Sequence, residues 1–266
     1  MITSTQNQKI KWVRALQNQA HTRKDEGAFV IEGVRLAEEA LAAGWEAELV
    51  LYTASLNARG QAVVNGFSKH GSQIEEVSEH VLQAASDTQT PQGILVVIHQ
   101  YNPPLADRLD FALIVDGVRD PGNLGSMLRS AAAAGVQAVF LTPGCADPYA
   151  PKVVRSAMGA HFRLHLQTLD WHFLQDLIKS AGLYVVLAAA GVGEPFTQCD
   201  FRRPLAIIIG GEAEGAGAYA QTLADAPVHI PMPGGSESLN AAAAAAILLF
   251  EVVRQRQHTR PPTSTP

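Results

Sequence analysis

The feature that most constrains this fold is a series of short, unbroken apolar runs in the second half of the 266-residue chain. Helical segments predicted at 126–134 and 171–181 separate some of them. A run without alternating polar residues is typical of a strand buried on both faces, and strands that alternate with helices form a parallel sheet. The runs are residues 112–116, 138–141, 184–188 and 205–209, and further strands are expected at 163–166 and 228–230. Ligands of such a sheet bind beyond the carboxyl ends of its strands.

Polar loops that contain glycine follow three of the predicted strands. They begin after Val115, Ile209 and Ile230. The last loop, residues 231–240, opens with Pro-Met-Pro, which cannot continue a strand ladder, and then has two glycines. We predict that Ser236 or Ser238 caps a helix that carries Asn240 in its first turn and continues through residues 241–251. The free N–H groups at such a helix start attract anionic ligands.

The pattern of the first hundred residues predicts a separate, small α/β domain. Its strands are expected at 28–31, 48–52, 74–77 and 93–98, and its helices at 34–43 and 58–70. We assign residues 1–99 to this domain, 100–109 to a linker, 110–257 to the parallel-sheet domain and 258–266 to a disordered tail.

Residues 1–24 carry basic side chains and no acidic one, although the net charge of the whole chain is −5. Ile10, Val13 and Leu16 recur at helical spacing, which predicts an amphipathic helix with a basic side. That side is either a solvated surface or a contact for nucleic-acid phosphates. The basic residues are Lys9, Lys11, Arg14, Arg23 and Lys24, and Arg35 lies at the turn after the first strand.

Composition and spacing argue against several classes of protein. The longest apolar run, residues 241–250, is too short to cross a membrane, and the polar amino terminus lacks a signal peptide's apolar core, so we expect a cytoplasmic protein. Cys145 and Cys199 lack metal-ligand spacing and are expected to be buried thiols of a reducing compartment. No metal site is expected. A dinucleotide fold requires G-x-G-x-x-G after its first strand, which neither 117–125 nor 210–217 provides.

The three strand-end loops together resemble a known family. Residues 116–129 have the sequence DGVRDPGNLGSMLR, residues 209–215 IGGEAEG, and residues 230–240 IPMPGGSESLN. They look like the three ordered motifs of the SpoU-type RNA 2′-O-ribose methyltransferases of the SPOUT superfamily. The amino-terminal domain resembles that family's RNA substrate-binding domain, a ribosomal-protein-like α/β fold. The resemblance implies an α/β protein in which this small domain precedes a parallel-sheet catalytic domain with a carboxyl-terminal trefoil knot.

The resemblance also implies a function. S-adenosylmethionine would donate a methyl group to a ribose 2′-hydroxyl of structured RNA, with ribosomal RNA preferred to transfer RNA as the expected substrate. A homodimer would complete the site, and we expect neither a membrane nor a DNA partner. By position, the implied catalytic residues are Asn123, Arg129, Glu212, Ser238 and Asn240. The implied cofactor-binding residues are Gly210, Ile230, Met232, Leu239 and Thr142, and the basic residues named above are the RNA-binding candidates.

The resemblance makes Arg129 the group that acts on the 2′-hydroxyl. A guanidinium keeps its proton at neutral pH and is a poor base. We therefore expect Arg129, held between Glu212 and an RNA phosphate, to position the oxygen and stabilise its developing charge, with its role as proton acceptor left open. Two other functions stay open: an inactive RNA-binding or ribosome-assembly protein with the same fold, and a nucleotide-binding oxidoreductase. The joint presence of the motif residues disfavours the first, and the missing glycine fingerprint disfavours the second.

Overall fold

A computed structural model describes residues 1–211 and 215–258. The chain forms two compact units, the first made of Met1–Tyr101 and Asp147–Arg163, and the second of Asn102–Ala146 and the residues from Leu164 onward. The helices are α1 (Gln8–Asn18), α2 (Ala20–Glu26), α3 (Val34–Ala42), α4 (Ala58–Lys69), α5 (Glu79–Ala85), α6 (Pro121–Ala134), α7 (Pro151–Ala157), α8 (Trp171–Ala181), α9 (Ala218–Leu223) and α10 (Ala241–His258). The strands are β1 (Ala28–Glu32), β2 (Ala47–Tyr52), β3 (Gln73–Glu76), β4 (Ile94–His99), β5 (Phe111–Asp116), β6 (Ala138–Leu141), β7 (His165–Thr168), β8 (Tyr184–Ala188), β9 (Glu194–Pro195), β10 (Leu205–Gly210) and β11 (Ala226–His229).

The first unit is built on a four-stranded sheet in the order β1-β4-β2-β3. β4 pairs antiparallel with β1 and β2, and β2 pairs parallel with β3. Alternate residues of β1 enter different apolar clusters: Phe29 and Ile31 join one, and Val30 joins another with Ile10 and Val13 of α1. Both faces of this sheet are therefore buried. The predicted amphipathic helix is confirmed, but it ends at Asn18, and α2 follows.

Residues 147–163 follow β6 in the sequence but pack within the first unit. They form α7 and a short 3-10 helix at Ala160–Phe162. Val154 and Phe162 join the same apolar cluster as Trp45, and the rings of Trp45 and Phe162 meet with their centroids 5.0 Å apart. The range 110–257, predicted as one domain, thus contains a segment whose packing partners belong to the amino-terminal region.

The second unit is built on a seven-stranded sheet in the order β7-β6-β5-β10-β8-β11-β9. All its strand pairs are parallel, as the unbroken apolar runs predicted. The two strands next to each other at its centre, β5 and β10, are buried almost throughout. α10 packs against β10 and α6, and the side chains of Ala241, Ala242 and Ala245 are buried there. Small side chains allow this close approach.

The start of α6 differs from the prediction. We expected a loop through Gly125, because proline, glycine and asparagine favour turns, but the helix begins at Pro121. The carboxylate of Asp120 accepts a hydrogen bond from the backbone N–H of Asn123 at 2.8 Å and caps the helix. Proline suits the first helical position because an N–H there would have no partner within the helix.

The start of α10 also differs. Its cap is Asn240, whose Oδ1 accepts hydrogen bonds from the N–H groups of Ala242 at 3.0 Å and Ala243 at 3.2 Å. Ser236 and Ser238 are exposed and precede the cap, so the prediction that one of them caps this helix is wrong. α5, α7 and α9 were not predicted.

No helix within 1–211 and 215–258 is long and apolar enough to cross a membrane. The same residues contain no group of three or more His, Cys, Asp or Glu side chains that could hold a metal ion. Cys145 and Cys199 are free and half-buried rather than fully buried, and desolvation raises the pKa of both thiols. Of the predicted tail, only His258 is described, as the end of α10.

Candidate active site

The carboxyl ends of β8, β10 and β11 and the segment before α10 line a cavity of about 520 Å³, which we call the first cavity. Ile209 and Leu248 contribute apolar wall, and Glu237 contributes a carboxylate. The predicted site residues in its lining are Gly210, Ile230, Met232, Ser238, Leu239 and Asn240. The second and third motifs therefore meet at one place, as parallel strands that end on the same side predict.

Gly210 has no room for a side chain. A Cβ atom at this position would lie 2.4 Å from the backbone nitrogen of Ala216 and 2.5 Å from the carbonyl carbon of Gly215. At Gly211, a Cβ atom would lie 2.9 Å from the carbonyl oxygen of Gly117. The loop after β10 therefore folds back on its own strand end and against the loop after β5. Glu212 belongs to residues 212–214, outside the described part of the chain.

Asn123 and Asn240 connect the first and third motifs. The Nδ2 of Asn240 donates a hydrogen bond to the Oδ1 of Asn123 at 2.8 Å. Because the Oδ1 of Asn240 caps α10, the orientation of its amide is fixed by contacts at both ends. Asn123 is similarly placed by its position in the first turn of α6, where its backbone is bound to Asp120. The structure thus brings together two residues that lie 117 positions apart.

Asp116 connects the loops after β5, β6 and β10. It is only 9% exposed, and its carboxylate accepts hydrogen bonds from the Thr142 hydroxyl at 2.9 Å and from the Gly217 N–H at 2.8 Å. The Thr142 oxygen in turn accepts from the Gly117 N–H at 3.1 Å. Thr142 is 1% exposed and does not line the first cavity. Its predicted contact with the cofactor is therefore not supported, because its hydroxyl is directed to Asp116.

Arg129 is exposed on α6, nearly two turns beyond Asn123, and lines neither the first cavity nor the second one described below. Its role stays a prediction. The loop after β8, where Ala189, Ala190 and Gly191 line the first cavity, is not among the predicted site loops. The signal was present, because this loop also follows the carboxyl end of an apolar run, but its small residues carry no distinctive polar group.

Of the six predicted RNA-binding residues, four are exposed and two are not. Lys11, Arg14, Lys24 and Arg35 are exposed, and Arg35 lies 3.6 Å from the carboxylate of Glu39. Lys9 is half-buried and paired with Glu75.

Arg23 is not part of this surface. It is 5% exposed, its guanidinium forms an ion pair with Asp147 at 2.5 Å, and it donates to the backbone oxygen of Leu16 at 2.6 Å. The prediction that Arg23 contacts RNA is corrected for this reason, since its donors are occupied inside the first unit.

Known families match both parts of the chain. The model described as the SpoU rRNA Methylase family matches residues 110–250. The model described as the MRM3-like substrate binding domain matches residues 7–96. The two matches account for most of the chain and follow each other without overlap.

Individual proteins match over nearly the full length. The 23S rRNA (guanosine(2553)-2'-O)-methyltransferase RlmP of Bacillus subtilis (strain 168) is 35% identical over 254 residues, covering 94% of this chain and 98% of that protein. The 23S rRNA (uridine(2479)-2'-O)-methyltransferase of Streptomyces viridochromogenes is 30% identical, covering 98% of this chain and 94% of that protein. The crystal structure of the SpoU methyltransferase AviRb from Streptomyces viridochromogenes in complex with AdoMet gives a TM-score of 0.86 at 28% identity, covering 95% of this chain and all of that one.

Proposed function

Because the chain belongs to the SpoU rRNA methylase family, we propose that it transfers a methyl group from S-adenosylmethionine to a ribose 2′-hydroxyl of ribosomal RNA. The observation that carries the proposal is the first cavity, in which Gly210, Ile230 and Leu239 meet at the carboxyl ends of parallel strands. The similarity to 23S rRNA 2′-O-methyltransferases over almost the whole chain supports ribosomal RNA rather than transfer RNA as the substrate.

The residues of the first cavity fit S-adenosylmethionine. Its volume of about 520 Å³ is within the range of small-molecule sites. Backbone N–H and C=O groups of Gly210, Ile230 and Leu239 would hold the adenosine part, and Met232 would pack against it. The carboxylate of Glu237 favours a ligand with positive charge. When bound, S-adenosylmethionine supplies an electrophilic methyl group on a sulfonium cation.

Polar side chains that line the cavity would orient the acceptor oxygen. Asn240 is held by the helix cap and by Asn123, so its amide needs no rearrangement when RNA arrives. Such preorganised groups stabilise a transition state more than mobile ones do. Ser238 lies beside Asn240 in the same lining and would bind the 2′-hydroxyl. Arg129 lines neither cavity, so its proposed role, as a permanent cation that stabilises the negative charge on that oxygen, rests on the family resemblance alone.

A methyl-transfer assay tests the proposed reaction. Ribosomal RNA from cells that lack this protein is incubated with the full chain and S-adenosylmethionine carrying a labelled methyl group, and the labelled nucleotide is mapped. We expect label on a ribose 2′-oxygen of one site. Titration calorimetry should show binding of S-adenosylmethionine and none of NAD. Absence of both label and cofactor binding would reject the proposal, whereas binding without transfer would favour an inactive RNA-binding protein.

We further propose that two copies associate through the exposed surface of α10. Ile247 and Phe250 are large apolar side chains that are 37% and 48% exposed on this helix, and unpaired apolar surface favours association. Light scattering should give the mass of a dimer, and Phe250→Glu should give that of a monomer. A monomeric wild-type chain at micromolar concentration would contradict this. A cytoplasmic location and the trefoil knot implied by the family remain predictions.

The exposed basic residues of the first unit support a role in RNA binding. Lys11 and Arg14 lie on exposed positions of α1, and Lys24 lies on α2. Lysine and arginine that contact phosphates contribute to affinity in a salt-dependent manner. We propose that these residues, with Arg35, bind the RNA backbone while the second unit holds the reacting groups.

A further inference from the structure

A second cavity, of about 360 Å³, lies at the carboxyl ends of β5 and β6. Its lining includes Val118 and Arg119 from the first motif, and Pro143 and Gly144 from the loop after β6. Gly211 and Gly215 line this cavity and the first one as well, so the two are neighbours. Asn123 of the second cavity is hydrogen-bonded to Asn240 of the first at 2.8 Å.

Asp116 holds the second cavity in shape. Its two oxygens accept from Thr142 and Gly217, and Thr142 accepts from Gly117, so three separate loops are fixed around one buried carboxylate. Both partners donate to Asp116, and each of its two carboxylate oxygens accepts one hydrogen bond. The residues held by these bonds are preorganised, so an occupant of the cavity need not order them on binding.

The charges in the lining favour a particular class of occupant. Among the described lining residues, the ionisable side chains are Asp116, Asp120 and Arg119, which give an excess of negative charge. Two carboxylates oppose the entry of a phosphate. A nucleobase is neutral, and glycine backbone and the exposed Pro143 offer it surfaces without bulky polar side chains. Unstacked RNA bases are recognised by packing and by hydrogen bonds to their edges.

We propose that the second cavity receives the base of the nucleotide whose ribose is methylated, an inference that rests on the proposed function. The acceptor ribose must reach Ser238 and Asn240 in the first cavity, and the base attached to it then lies in the neighbouring second cavity. The nucleotide must therefore be unpaired or rotated out of its helix before the reaction. Arg119, exposed at the rim, can contact a phosphate that flanks the rotated nucleotide.

Gly217→Leu tests this proposal by filling the second cavity. Gly217 lines the second cavity but not the first. Its φ of −68° suits any residue, and a Cβ atom there would meet only the Oδ2 of Asp116, at an ordinary 3.5 Å. The matched control is Ala218→Leu, which adds the same side chain at the next, exposed position of α9.

We expect Gly217→Leu to lose at least about tenfold in methyl transfer to ribosomal RNA, while its affinity for S-adenosylmethionine stays within about twofold of the wild type. Gly217→Ala should lose less, because it adds one methyl group, and Ala218→Leu should match the wild type. Normal transfer by Gly217→Leu would overturn the proposal. Absence of transfer by the wild type to any ribosomal RNA would instead reject the proposed function.

An RNA substrate that lacks the base of the methylated nucleotide shows whether Gly217→Leu acts by blocking the second cavity or by disturbing the protein structure. Once the methylated nucleotide is mapped, an RNA fragment is made with an abasic ribose at that position, which keeps the 2′-hydroxyl. We expect the wild type to methylate it more slowly than the intact RNA, and Gly217→Leu to match the wild type on it, because the removed base and the added side chain would occupy the same space. Equal wild-type rates on both RNAs would overturn the proposal, whether or not Gly217→Leu folds.

Discussion

The sharpest prediction concerns Gly210→Ala. The structure leaves no space for one methyl group, because the Cβ atom would lie 2.4 Å from the Ala216 nitrogen and 2.7 Å from the Gly215 carbonyl oxygen. Both neighbours are backbone atoms, so rotation of a side chain cannot relieve the contact. Gly215 and Ala216 would have to move by about 1 Å to reach an ordinary contact distance of 3.4 Å.

That movement would disturb both cavities. Gly211 and Gly215 line each of them, and the hydrogen bond from Gly217 to Asp116 holds the same loop. A displacement of about 1 Å in a positioned site can reduce rates by about a hundredfold. We therefore expect Gly210→Ala to lower methyl transfer by about a hundredfold and the affinity for S-adenosylmethionine by at least about tenfold. The cause would be displacement of the protein's own loop and not obstruction of the cofactor by the added methyl group.

Calorimetry with S-adenosylmethionine and a methyl-transfer assay measure the two effects, and circular dichroism checks the fold. Gly234→Ala is the matched control, because no atom lies within 4 Å of the added Cβ and the backbone there is not left-handed. We expect it to bind and react as the wild type does. Wild-type affinity in Gly210→Ala would refute the reasoning, since it would mean that the loop yields to the methyl group without consequence.

Three further predictions concern the chemistry, the RNA contacts and the stability. Arg129→Lys should lose most turnover and keep its cofactor affinity within a few-fold, because lysine lacks the planar fork of arginine; near-normal turnover would show that charge alone suffices. Lys11, Arg14 and Lys24 are exposed basic residues, and replacing all three with glutamine should reduce the slope of log K for RNA binding against log salt concentration by about 2 to 3. An unchanged slope would mean that these residues do not contact RNA. Burial lowers the pKa of His161 to about 4, well below the usual value of about 6.5 for histidine, so the unfolded chain takes up this proton first as the pH falls. The free energy of unfolding, measured with urea, should therefore drop by about 2 kcal/mol from pH 7 to pH 5, and this drop should shrink in His161→Phe.

The apolar strands could be predicted from the sequence because burial on both faces leaves a local trace. Each run specifies its own strand, and the parallel direction of the strands follows from the helices that connect them. The start of α6 was missed although its signals are local. Asp120 followed by Pro121 is a common cap and first position, but the glycine and asparagine that follow suggested a loop.

The site was predictable to the extent that it depends on strand ends. Gly210, Ile230 and Leu239 lie where loops after parallel strands meet, so their proximity follows from topology. The contacts that a single side chain makes do not follow from topology. Thr142 also follows a strand end, yet its hydroxyl is directed to Asp116, and nothing near it in the sequence indicates this choice.

Arg23 shows the same dependence on distant residues and explains how the first unit is completed. Its neighbours in sequence are polar and basic, but its buried guanidinium forms an ion pair with Asp147, which lies 124 positions later. The segment that carries Asp147 also supplies Val154 and Phe162 to the cluster around Trp45. A chain that ended at residue 101 would leave Arg23 buried without its carboxylate, and loss of one partner of a buried pair costs about 3 to 5 kcal/mol. The core of the amino-terminal unit is therefore completed by a segment that lies within the methyltransferase sequence.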